Sequence, residues 1–324
     1  MSHPDIMQAV ILAAGKGTRL REITRNRSKA MLPILGKPIV ARVMDSFRTN
    51  GIEEFILVVR PDDDRIVKYF SRESNIAGNV RLIVQPQPLG SADALRCARA
   101  HISGDFILSA CDNLVSPDQV SRMLTAWRVE AGLDGILSLI PLEPGRSENS
   151  AIVEMDGEWV TRIVEKPSRN QVFSNIASLP LYCFTPRILD LLDKVPLSAR
   201  GEYELPAAIQ LLIAENHQVR GVFLDRRLTL TDQADLLAIN LHYLAEESHL
   251  IKSDVSIVGL DTQLIPSVYI EQGAIIGDHC LIGPNVFIES GCQIGDYSII
   301  KNAVLLSGAT LPSGAEVCDR VAWE

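Results

Sequence analysis

After about Lys252 the sequence repeats with a period of six residues, and this repeat restricts the fold of the last part of the chain. Nine of ten successive sixth positions are aliphatic, the exception being the last: Val258, Leu264, Ile270, Ile276, Ile282, Ile288, Ile294, Ile300, Leu306 and Pro312. Four positions after each comes a generally small residue: Thr262, Val268, Ala274, Cys280, Val286, Cys292, Ser298, Val304 and Thr310. Short strands joined by tight turns, each with one inward aliphatic side chain, form a parallel β-helix. We predict about three coils with an open end that needs a cap or a partner, in preference to chance alternation in a β-sandwich.

Residues 7 to about 140 alternate apolar runs with amphipathic helical patterns. The runs predict strands at Met7–Ala13, Phe55–Val59, Arg81–Val84 and Phe106–Ala110, and the patterns predict helices at Pro38–Asn50, Asp62–Ser74 and Ser91–Ala100. Strand, crossover helix and strand in succession indicate an α/β fold with a Rossmann-like, doubly wound and mostly parallel sheet. Ligands bind such sheets beyond the carboxyl ends of the strands, so we expect site residues to follow Ala13, Val84 and Ala110.

Between Gly135 and about Asp225 the predicted strands lie closer together, which favours an antiparallel extension of the sheet. These strands are Ile136–Ile140, Ala151–Glu154, Val160–Glu165 and Leu179–Phe184, with helices near Pro186–Lys194, Glu204–Asn216 and Asp232–Ser248. Thr231 is the expected N-cap of the last helix. We expect this extension to supply the second half of a substrate pocket.

Charge and cysteine content exclude several classes of function. Thirty-one Lys and Arg against forty Asp and Glu give a net charge of −9, which disfavours binding to nucleic acid or an anionic membrane. The first residues show no signal-peptide pattern and no run of residues is apolar enough to span a membrane. The six cysteines are scattered without a CxxC pair, so we expect reduced thiols in a cytoplasmic protein.

A glycine loop, Gly15-Lys16-Gly17, follows the first predicted strand. A Walker A motif is excluded because Lys16 is not followed by Ser or Thr, and a dinucleotide fingerprint because position 20 is leucine. The loop still presents backbone N–H groups without obstructing side chains, which suits a triphosphate. Arg19 and Lys29 are candidates to neutralise charge at a reacting phosphorus.

The loop is the first of an ordered set of motifs. Gly15-Lys16-Gly17-Thr18-Arg19-Leu20 is followed by Lys29, Leu32-Pro33, Gly36-Lys37-Pro38, Gln85-Pro86-Gln87-Pro88-Leu89-Gly90-Ser91-Ala92, Ala110-Cys111-Asp112, Val164-Glu165-Lys166-Pro167 and Leu224-Asp225. Over the entire chain this set resembles the signature of the sugar-1-phosphate nucleotidylyltransferases, which include glucose-1-phosphate thymidylyltransferases and UTP-sugar uridylyltransferases. Several members of that family also carry a C-terminal hexapeptide-repeat, left-handed β-helix.

The resemblance implies attack of a sugar 1-phosphate oxygen on the α-phosphorus of a pyrimidine triphosphate, dTTP or UTP, with release of pyrophosphate. It implies catalytic roles for Arg19 and Lys29, and Mg²⁺ ligation by Asp112 and Asp225. It places the nucleotide against Leu12, Ala13, Ala14, Gly15, Gly17, Thr18, Gln85, Gly90 and Ser91, with Gln85 reading the base. It places the sugar phosphate against Cys111, Ala151, Glu165, Lys166 and Ser178.

The resemblance also implies a domain organisation and an assembly. We expect a catalytic domain over residues 1–250 and a left-handed β-helix over residues 251–324. We expect a homo-oligomer, a trimer or a tetramer, in which the β-helix takes part.

Two segments depart from the family pattern where the sugar would bind. Ser150-Ala151 stands where glucose-type members carry Tyr-Gly, and Ser178-Leu179 where they carry Thr-Gly. Arg226-Arg227 also replaces the small residues that are frequent after the second aspartate. These changes leave the sugar and the choice between dTTP and UTP open. Two alternatives also stay open: a catalytically inactive regulatory subunit that binds a nucleotide sugar, and a bifunctional enzyme with acyltransferase activity in the β-helix.

Overall fold

The structure, a computed structural model, describes residues 5–15, 17–20, 22–73, 79–143, 150–246, 251–253 and 257–323. It contains two compact units. Unit 1 comprises Met1–Lys16, Ser28–Ala30 and Val40–Leu228, and unit 2 comprises Gly17–Arg27, Met31–Ile39 and Thr229–Glu324. The chain therefore enters unit 2 twice near its beginning and then for all of its last part. The expected boundary at residue 250 falls outside the described residues and stays a prediction.

Twenty-four strands and seven α-helices are defined in the described part of the chain. The strands up to residue 229 are β1 (Gln8–Leu12), β2 (Pro33–Ile34), β3 (Lys37–Pro38), β4 (Glu54–Val59), β5 (Val80–Val84), β6 (Phe106–Ala110), β7 (Asn113–Leu114), β8 (Gly135–Pro141), β9 (Ala151–Asp156), β10 (Trp159–Glu165), β11 (Ile176–Phe184), β12 (Val219–Phe223) and β13 (Leu228–Thr229). The helices are α1 (Ile39–Arg48), α2 (Asp64–Lys68), α3 (Ser91–Ala98), α4 (Pro117–Val129), α5 (Arg187–Leu191), α6 (Leu205–Ala214) and α7 (Gln233–Glu246).

Unit 1 is built on a nine-stranded sheet of order β5-β4-β1-β6-β11-β8-β12-β10-β9. Strands β5, β4, β1 and β6 are parallel, whereas β11 runs antiparallel to both β6 and β8. Strand β12 is parallel to β8, so it points in the same direction as β1 and β6. The predicted α/β class is confirmed, and the predicted antiparallel extension belongs to the same sheet.

Side chains on both faces of the central strands form the core of unit 1. Ala9, Val10 and Ile11 of β1 are fully buried, as expected for a strand covered on both sides. Helix α3 packs on β1, β4 and β5, and α4 packs on β8, β11 and β12.

Three local features differ from the sequence expectations. Helix α4 and strand β12 were not predicted, although Ser116, Pro117 and Gln119 form a capping box that marks the start of α4. Helix α7 is capped by Asp232, whose Oδ1 accepts from the N–H of Asp235, so the expectation of Thr231 as N-cap is wrong. Helix α2 ends at Lys68 and is followed by a π-helical turn, Tyr69–Glu73, whereas the expected helix ends at Ser74 and Ser248 lie outside the described residues.

Unit 2 contains the repeat region, whose strands are all parallel to their neighbours. They are β14 (Ile251–Ser253), β15 (Ile257–Val258), β16 (Gln263–Leu264), β17 (Val268–Ile270), β18 (Ile275–Ile276), β19 (Leu281–Ile282), β20 (Val286–Ile288), β21 (Gln293–Ile294), β22 (Ile299–Leu305), β23 (Thr310–Leu311) and β24 (Glu316–Ala322). Paired residues are 18 apart through the middle of the region, as in Val268 with Val286 and Ile275 with Gln293. These strands are compatible with the predicted β-helix of three hexads per coil, and its left-handed sense stays a prediction.

The repeat is one residue shorter after Ile300. Val286 pairs with Ala303 and Ile294 with Leu311, which are spacings of 17 residues. The inner cluster consequently contains Ala303, Leu305 and Ala309. One coil is therefore a residue shorter, at the corner near Asn302, where φ is +44°. The expectation of inward side chains is wrong for four residues of this coil: Val304, Leu306, Thr310 and Pro312.

None of the described helices has the length and apolar character needed to cross a bilayer.

Candidate active site

The glycine loop begins where β1 ends. The N–H of Ala13 donates to the carbonyl of Val58 (2.7 Å), and the carbonyl of Leu12 accepts from the N–H of Cys111 (3.1 Å). Ala13 and Ala14 are buried, whereas Gly15 is exposed. A Cβ at Gly15 would meet nothing within 4 Å, so the protein leaves the space beside this glycine open.

The loop continues as a single 3₁₀ turn, Thr18–Leu20, which belongs to unit 2. Gly17 has a φ of +59°, a left-handed conformation that favours glycine, and its carbonyl accepts from the N–H of Leu20 (2.9 Å). Leu20 is buried and anchors the turn, while Thr18 and Arg19 are exposed. Lys16 lies outside the described residues.

Lys29 and Asp112, two of the predicted site residues, form an ion pair in unit 1. Lys29 begins a 3₁₀ turn, Lys29–Met31, and Asp112 follows the carboxyl end of β6. The Lys29 ammonium donates to Oδ2 of Asp112, and the two side chains are 14% and 25% exposed. A cation and a carboxylate separated by 83 positions therefore meet at the sheet edge where ligands bind in doubly wound folds.

Cys111, which precedes Asp112, points into the protein. Its side chain is buried, and burial raises the pKa of the thiol to about 12. The thiol is therefore protonated at neutral pH and is not an activated nucleophile. Contact between this residue and a ligand would use its backbone.

Gln85 follows β5 and is held in a fixed orientation. Its side-chain Nε2 donates to the carbonyl of Gly90 (3.1 Å) and to Oδ2 of Asp93 (2.7 Å), and Asp93 is also paired with Arg96. Both partners of Nε2 are acceptors, so the amide group must place its NH₂ there and direct its carbonyl oxygen elsewhere. Asp93 was not predicted, and its position in the first turn of α3 was the only signal in the sequence.

Gly90 and Ser91 join α3 to the segment that leads into α6. Gly90 has a φ of +110°, and a Cβ there would lie 2.4 Å from the carbonyl oxygen of Tyr203, so only glycine fits. The N–H of Ala92 donates to that carbonyl (2.9 Å), and the Ser91 hydroxyl accepts from the N–H of Leu205 (2.9 Å). These residues therefore support the backbone around Gln85.

Three of the residues predicted to bind the sugar phosphate lie side by side on neighbouring strands. Ala151 of β9 pairs with Glu165 of β10 on one side and with Ser178 of β11 on the other. Lys166 directly follows Glu165, with a φ of +41°, and its N–H donates to the carbonyl of Ser150 (3.2 Å). The fold therefore brings together residues from three separate motifs.

The charged pair in this row is partly buried. Lys166 Nζ lies 3.2 Å from Oε1 of Glu165. Burial raises the pKa of Glu165, and the neighbouring Lys166 charge opposes that rise. Glu165 is therefore a carboxylate in a poorly solvated position, where a hydroxyl donor would be a favourable partner.

The segments that depart from the family pattern contact one another here. Arg227 donates from Nη1 to the Ser150 hydroxyl (3.0 Å), and the Ser178 hydroxyl donates to the Tyr182 oxygen (2.9 Å). Tyr182 and Leu179 are buried. Arg227 and Tyr182 were not predicted as site residues, although the unusual Arg226-Arg227 pair in the sequence was a signal for the first.

Asp225, the second predicted metal ligand, follows β12 and is largely exposed. A hydrogen bond with its own backbone N–H, and then the Gln119 amide at 3.3 Å, lower the pKa of this carboxyl. Arg122 lies 3.8 Å away. Asp225 shares the carboxyl edge of the sheet with Asp112, but β11 and β8 stand between their strands. Within the described ranges, no group of three or more His, Cys, Asp or Glu side chains is placed to hold a metal.

Comparison with known proteins adds independent observations. Residues 8–228 match the family model described as nucleotidyl transferase, and residues 264–322 match the one described as GMPPB C-terminal domain. The chain is 31% identical over 276 residues to the bifunctional protein GlmU of Methanococcus maripaludis, covering 83% of this chain and 62% of that protein. It is 32% identical over 282 residues to a glucose-1-phosphate thymidylyltransferase of Streptomyces griseus, covering 86% of this chain and 76% of that protein.

A solved structure shows the same fold. The crystal structure of a UDP-glucose pyrophosphorylase in complex with UDP-glucose superposes with a TM-score of 0.68 at 21% identity, covering 74% of this chain and 99% of that chain. The chain spans less than two thirds of the length of the GlmU relatives.

Proposed function

Because this chain is a member of the nucleotidyl transferase family, we propose that it transfers a nucleotidyl group from a pyrimidine triphosphate, dTTP or UTP, to a sugar 1-phosphate. An oxygen of the sugar phosphate forms a bond to the α-phosphorus, and the bond from that phosphorus to the β-phosphate oxygen breaks. Pyrophosphate leaves with the electron pair, and the other product is a nucleoside diphosphate sugar. The observation that carries the proposal is the Lys29–Asp112 pair at the carboxyl end of β6.

The reaction requires charge neutralisation more than proton transfer. Phosphate oxygens are already nucleophilic, so no general base is needed, and positioning with electrostatic stabilisation supplies the rate. Arg19 and Lys29 would each supply positive charge, and the backbone at Leu12, Ala13, Ala14, Gly15, Gly17 and Thr18 would bind the phosphates. The open space beside Gly15 supports a close approach of the triphosphate to the backbone.

Asp112 and Asp225 would hold a divalent ion, which nucleotidyltransferases of this family generally use. Carboxylate oxygens are the ligands that Mg²⁺ prefers, and Mg²⁺ usually completes its coordination with substrate phosphates and water. Support for this assignment is that both carboxylates lie at the carboxyl edge of one sheet. When bound, the ion would stabilise negative charge on the phosphate oxygens.

The orientation of the Gln85 amide favours recognition of a base that carries a ring N–H. Since its NH₂ group is taken up by Gly90 and Asp93, its carbonyl oxygen is the atom left for the base. That oxygen accepts from the N3–H of uracil or thymine, whereas N3 of cytosine is itself an acceptor. The orientation of Gln85 therefore favours UTP or dTTP over CTP.

The sugar phosphate would occupy the row formed by Ser178, Ala151 and Glu165. Lys166 would bind its phosphate, Glu165 would accept from a sugar hydroxyl, and Cys111 would contribute its backbone. Side chains on Ala151 and Leu179, where glucose-type members carry glycine, support a sugar other than glucose. We further propose a homo-oligomer, a trimer or a tetramer in which the β-helix takes part, in the cytoplasm, where the six free cysteines would remain reduced.

One assay tests the reaction. Purified protein with Mg²⁺ is incubated with each pairing of UTP, dTTP, CTP, ATP and GTP with a panel of sugar 1-phosphates, and pyrophosphate release is measured. We expect release with UTP or dTTP and at least one sugar phosphate. Absence of release from every pair, together with tight binding of a nucleotide sugar, would instead support the regulatory subunit.

A further inference from the structure

The phosphate-binding turn belongs to the same compact unit as the β-helix. Unit 2 contains Gly17–Arg27 and Met31–Ile39, which we call the signature segment, together with Thr229–Glu324. The signature segment carries Gly17, Thr18 and Arg19, so the contacts that hold it decide where these groups lie.

Two glutamates of the β-helix occupy equivalent positions in successive coils. Glu271 follows Ile270 and Glu289 follows Ile288, and these two isoleucines are register partners. Oε2 of Glu271 accepts from the N–H of Ser290 (2.9 Å), and Oε2 of Glu289 accepts from the N–H of Ser307 (2.8 Å). We call this pair the glutamate ladder, because each carboxylate uses one oxygen to join its coil to the next.

The other oxygen of each ladder carboxylate faces the signature segment. Oε1 of Glu289 lies 2.6 Å from Nη1 of Arg27, and the two side chains are only 12% and 7% exposed. Oε1 of Glu271 lies 2.9 Å, and the Tyr269 ring 2.7 Å, from the position a Cβ would take at Gly36. Gly36 also has a φ of +72°, so this contact admits only glycine.

Helix α7 holds the other side of the hairpin formed by β2 and β3. The fully buried Asn240 accepts at Oδ1 from the N–H of Leu35 (2.9 Å) and donates from Nδ2 to the carbonyl of Pro33 (3.3 Å). Its Nδ2 also donates to the carbonyl of Leu236 within α7 (2.9 Å). The signature segment is thus fixed at three points by residues that follow it by about two hundred positions or more.

We propose that the β-helix serves as a positioning scaffold for the phosphate-binding turn, with Arg27 and Glu289 as the positioning residues. A buried ion pair contributes little net stability, because desolvation offsets the attraction, but it specifies one arrangement of its two partners. Here the arrangement fixes Arg27, eight positions after Arg19, against a rigid stack of coils. The proposal rests on the proposed function for its effect on turnover, but not for its effect on the signature segment.

The test compares Glu289→Gln and Arg27→Lys with Glu130→Gln as a matched control. Glutamine at 289 retains an acceptor for Ser307 but removes the charge that faces Arg27. Glu130 forms an ion pair with Arg220 (2.7 Å), and both residues belong to unit 1. Amide hydrogen exchange is measured over the full-length chain, and kcat and KM are measured for the triphosphate and the sugar phosphate.

We expect Glu289→Gln to accelerate exchange in residues 17–39 more than in the rest of the chain. We expect it to lower kcat/KM for the triphosphate by about 10- to 100-fold, since misplacement of a positioned group by about 1 Å costs rate on that scale. Arg27→Lys keeps the positive charge and should therefore retain most of the wild-type activity. Glu130→Gln should behave as the wild type.

Unchanged exchange in residues 17–39 in a folded Glu289→Gln protein would overturn the proposal. So would an equal acceleration of exchange in residues 17–39 and in the rest of unit 2, because the pair would then be only a general stabiliser. If even the wild type transfers no nucleotide to any sugar phosphate, the proposed function fails, while the exchange pattern still decides whether the β-helix holds the signature segment.

Discussion

The charged pairs at the candidate site of unit 1 and the Arg27–Glu289 pair of unit 2 differ in their exposure to water. In unit 1, Lys29–Asp112, Lys166–Glu165 and Arg122–Asp225 lie at strand ends and keep part of their surface in water. In unit 2, the Arg27–Glu289 pair is almost fully buried, and Glu289 also bonds the next coil. The difference indicates that these three pairs of unit 1 remain available to a ligand, whereas the Arg27–Glu289 pair of unit 2 is committed to the fold.

The largest expected effect comes from a charge of unit 1. Asp112→Asn should lower kcat by about a thousandfold, because the site loses a carboxylate that would hold the divalent ion against the phosphates. The free energy of unfolding should change by about 1 kcal/mol, since Asp112→Asn retains a side-chain oxygen that can accept from Lys29. Pyrophosphate release and denaturant unfolding measure the two quantities. Asp118→Asn, on the exposed first turn of α4, is the control and should change neither.

The reverse result is expected in unit 2. Glu289→Ala should lower the free energy of unfolding by about 3 kcal/mol, because it leaves the buried Arg27 charge without its partner. Denaturant unfolding followed by circular dichroism measures the change, and Glu316→Ala on the exposed edge of β24 serves as the control. A loss as small as that of Asp112→Asn would contradict the contrast between the units.

The sequence predicted the regular parts of both units and missed those that depend on contacts across the chain. Strand Phe106–Ala110 was predicted because a strand buried on both faces is a continuous apolar run. The hexad repeat predicted the parallel strands. It did not predict that the coil near Asn302 is one residue shorter, because the corner of that coil has no distinct composition. Helix α4 is marked in the sequence by its capping box and by the helical spacing of its buried residues Val120, Met123, Leu124 and Trp127, so this element was predictable.

The site was predictable in its residue types but not in its geometry. The motifs identified Glu165, Ala151 and Ser178, but their alignment in one row depends on strand register, which the motifs do not contain. The Arg27–Glu289 pair joins positions 262 apart, and neither residue lies in a recognisable motif.

Selectivity between UTP and CTP tests whether the side-chain oxygen of Gln85, in unit 1, is available to the base. Gln85→Leu removes the carbonyl oxygen that would accept from the N3–H of uracil, while Asp93 keeps its partner Arg96. The ratio of kcat/KM for UTP to that for CTP should fall by about tenfold or more, because discrimination by a hydrogen bond is lost with the bond. The exposed Gln87→Leu should leave the ratio unchanged. An unchanged ratio in Gln85→Leu would show that other groups read the base.

A smaller effect is expected from the titration of Glu165. Burial raises its pKa, so on acidification it takes up a proton at a higher pH than an ordinary glutamate. KM for the sugar phosphate should therefore rise by about tenfold as the pH falls through that raised value, which corresponds to the loss of one charge-assisted hydrogen bond. Glu165→Gln should show a high KM at neutral pH and no such rise. A parallel rise in both proteins would assign the titration to another group or to the substrate.

The smallest expected effect separates the two members of the glutamate ladder. Burial, and then the nearby charge of Glu289, raise the pKa of Glu271, so the folded protein holds this proton more tightly than the unfolded chain. The residue therefore favours folding below its ordinary pKa, and that contribution is lost as the pH rises through the raised value.

Glu271→Gln removes the like charge but keeps an acceptor for Ser290. At pH 8 it should raise the free energy of unfolding by at most about 1 kcal/mol, because partial exposure screens the charge. Near pH 4 it should have no effect. Thermal unfolding of both proteins across this range measures the difference, and a loss at pH 8 similar to that of Glu289→Ala would show that Glu271 also needs its charge to hold the signature segment.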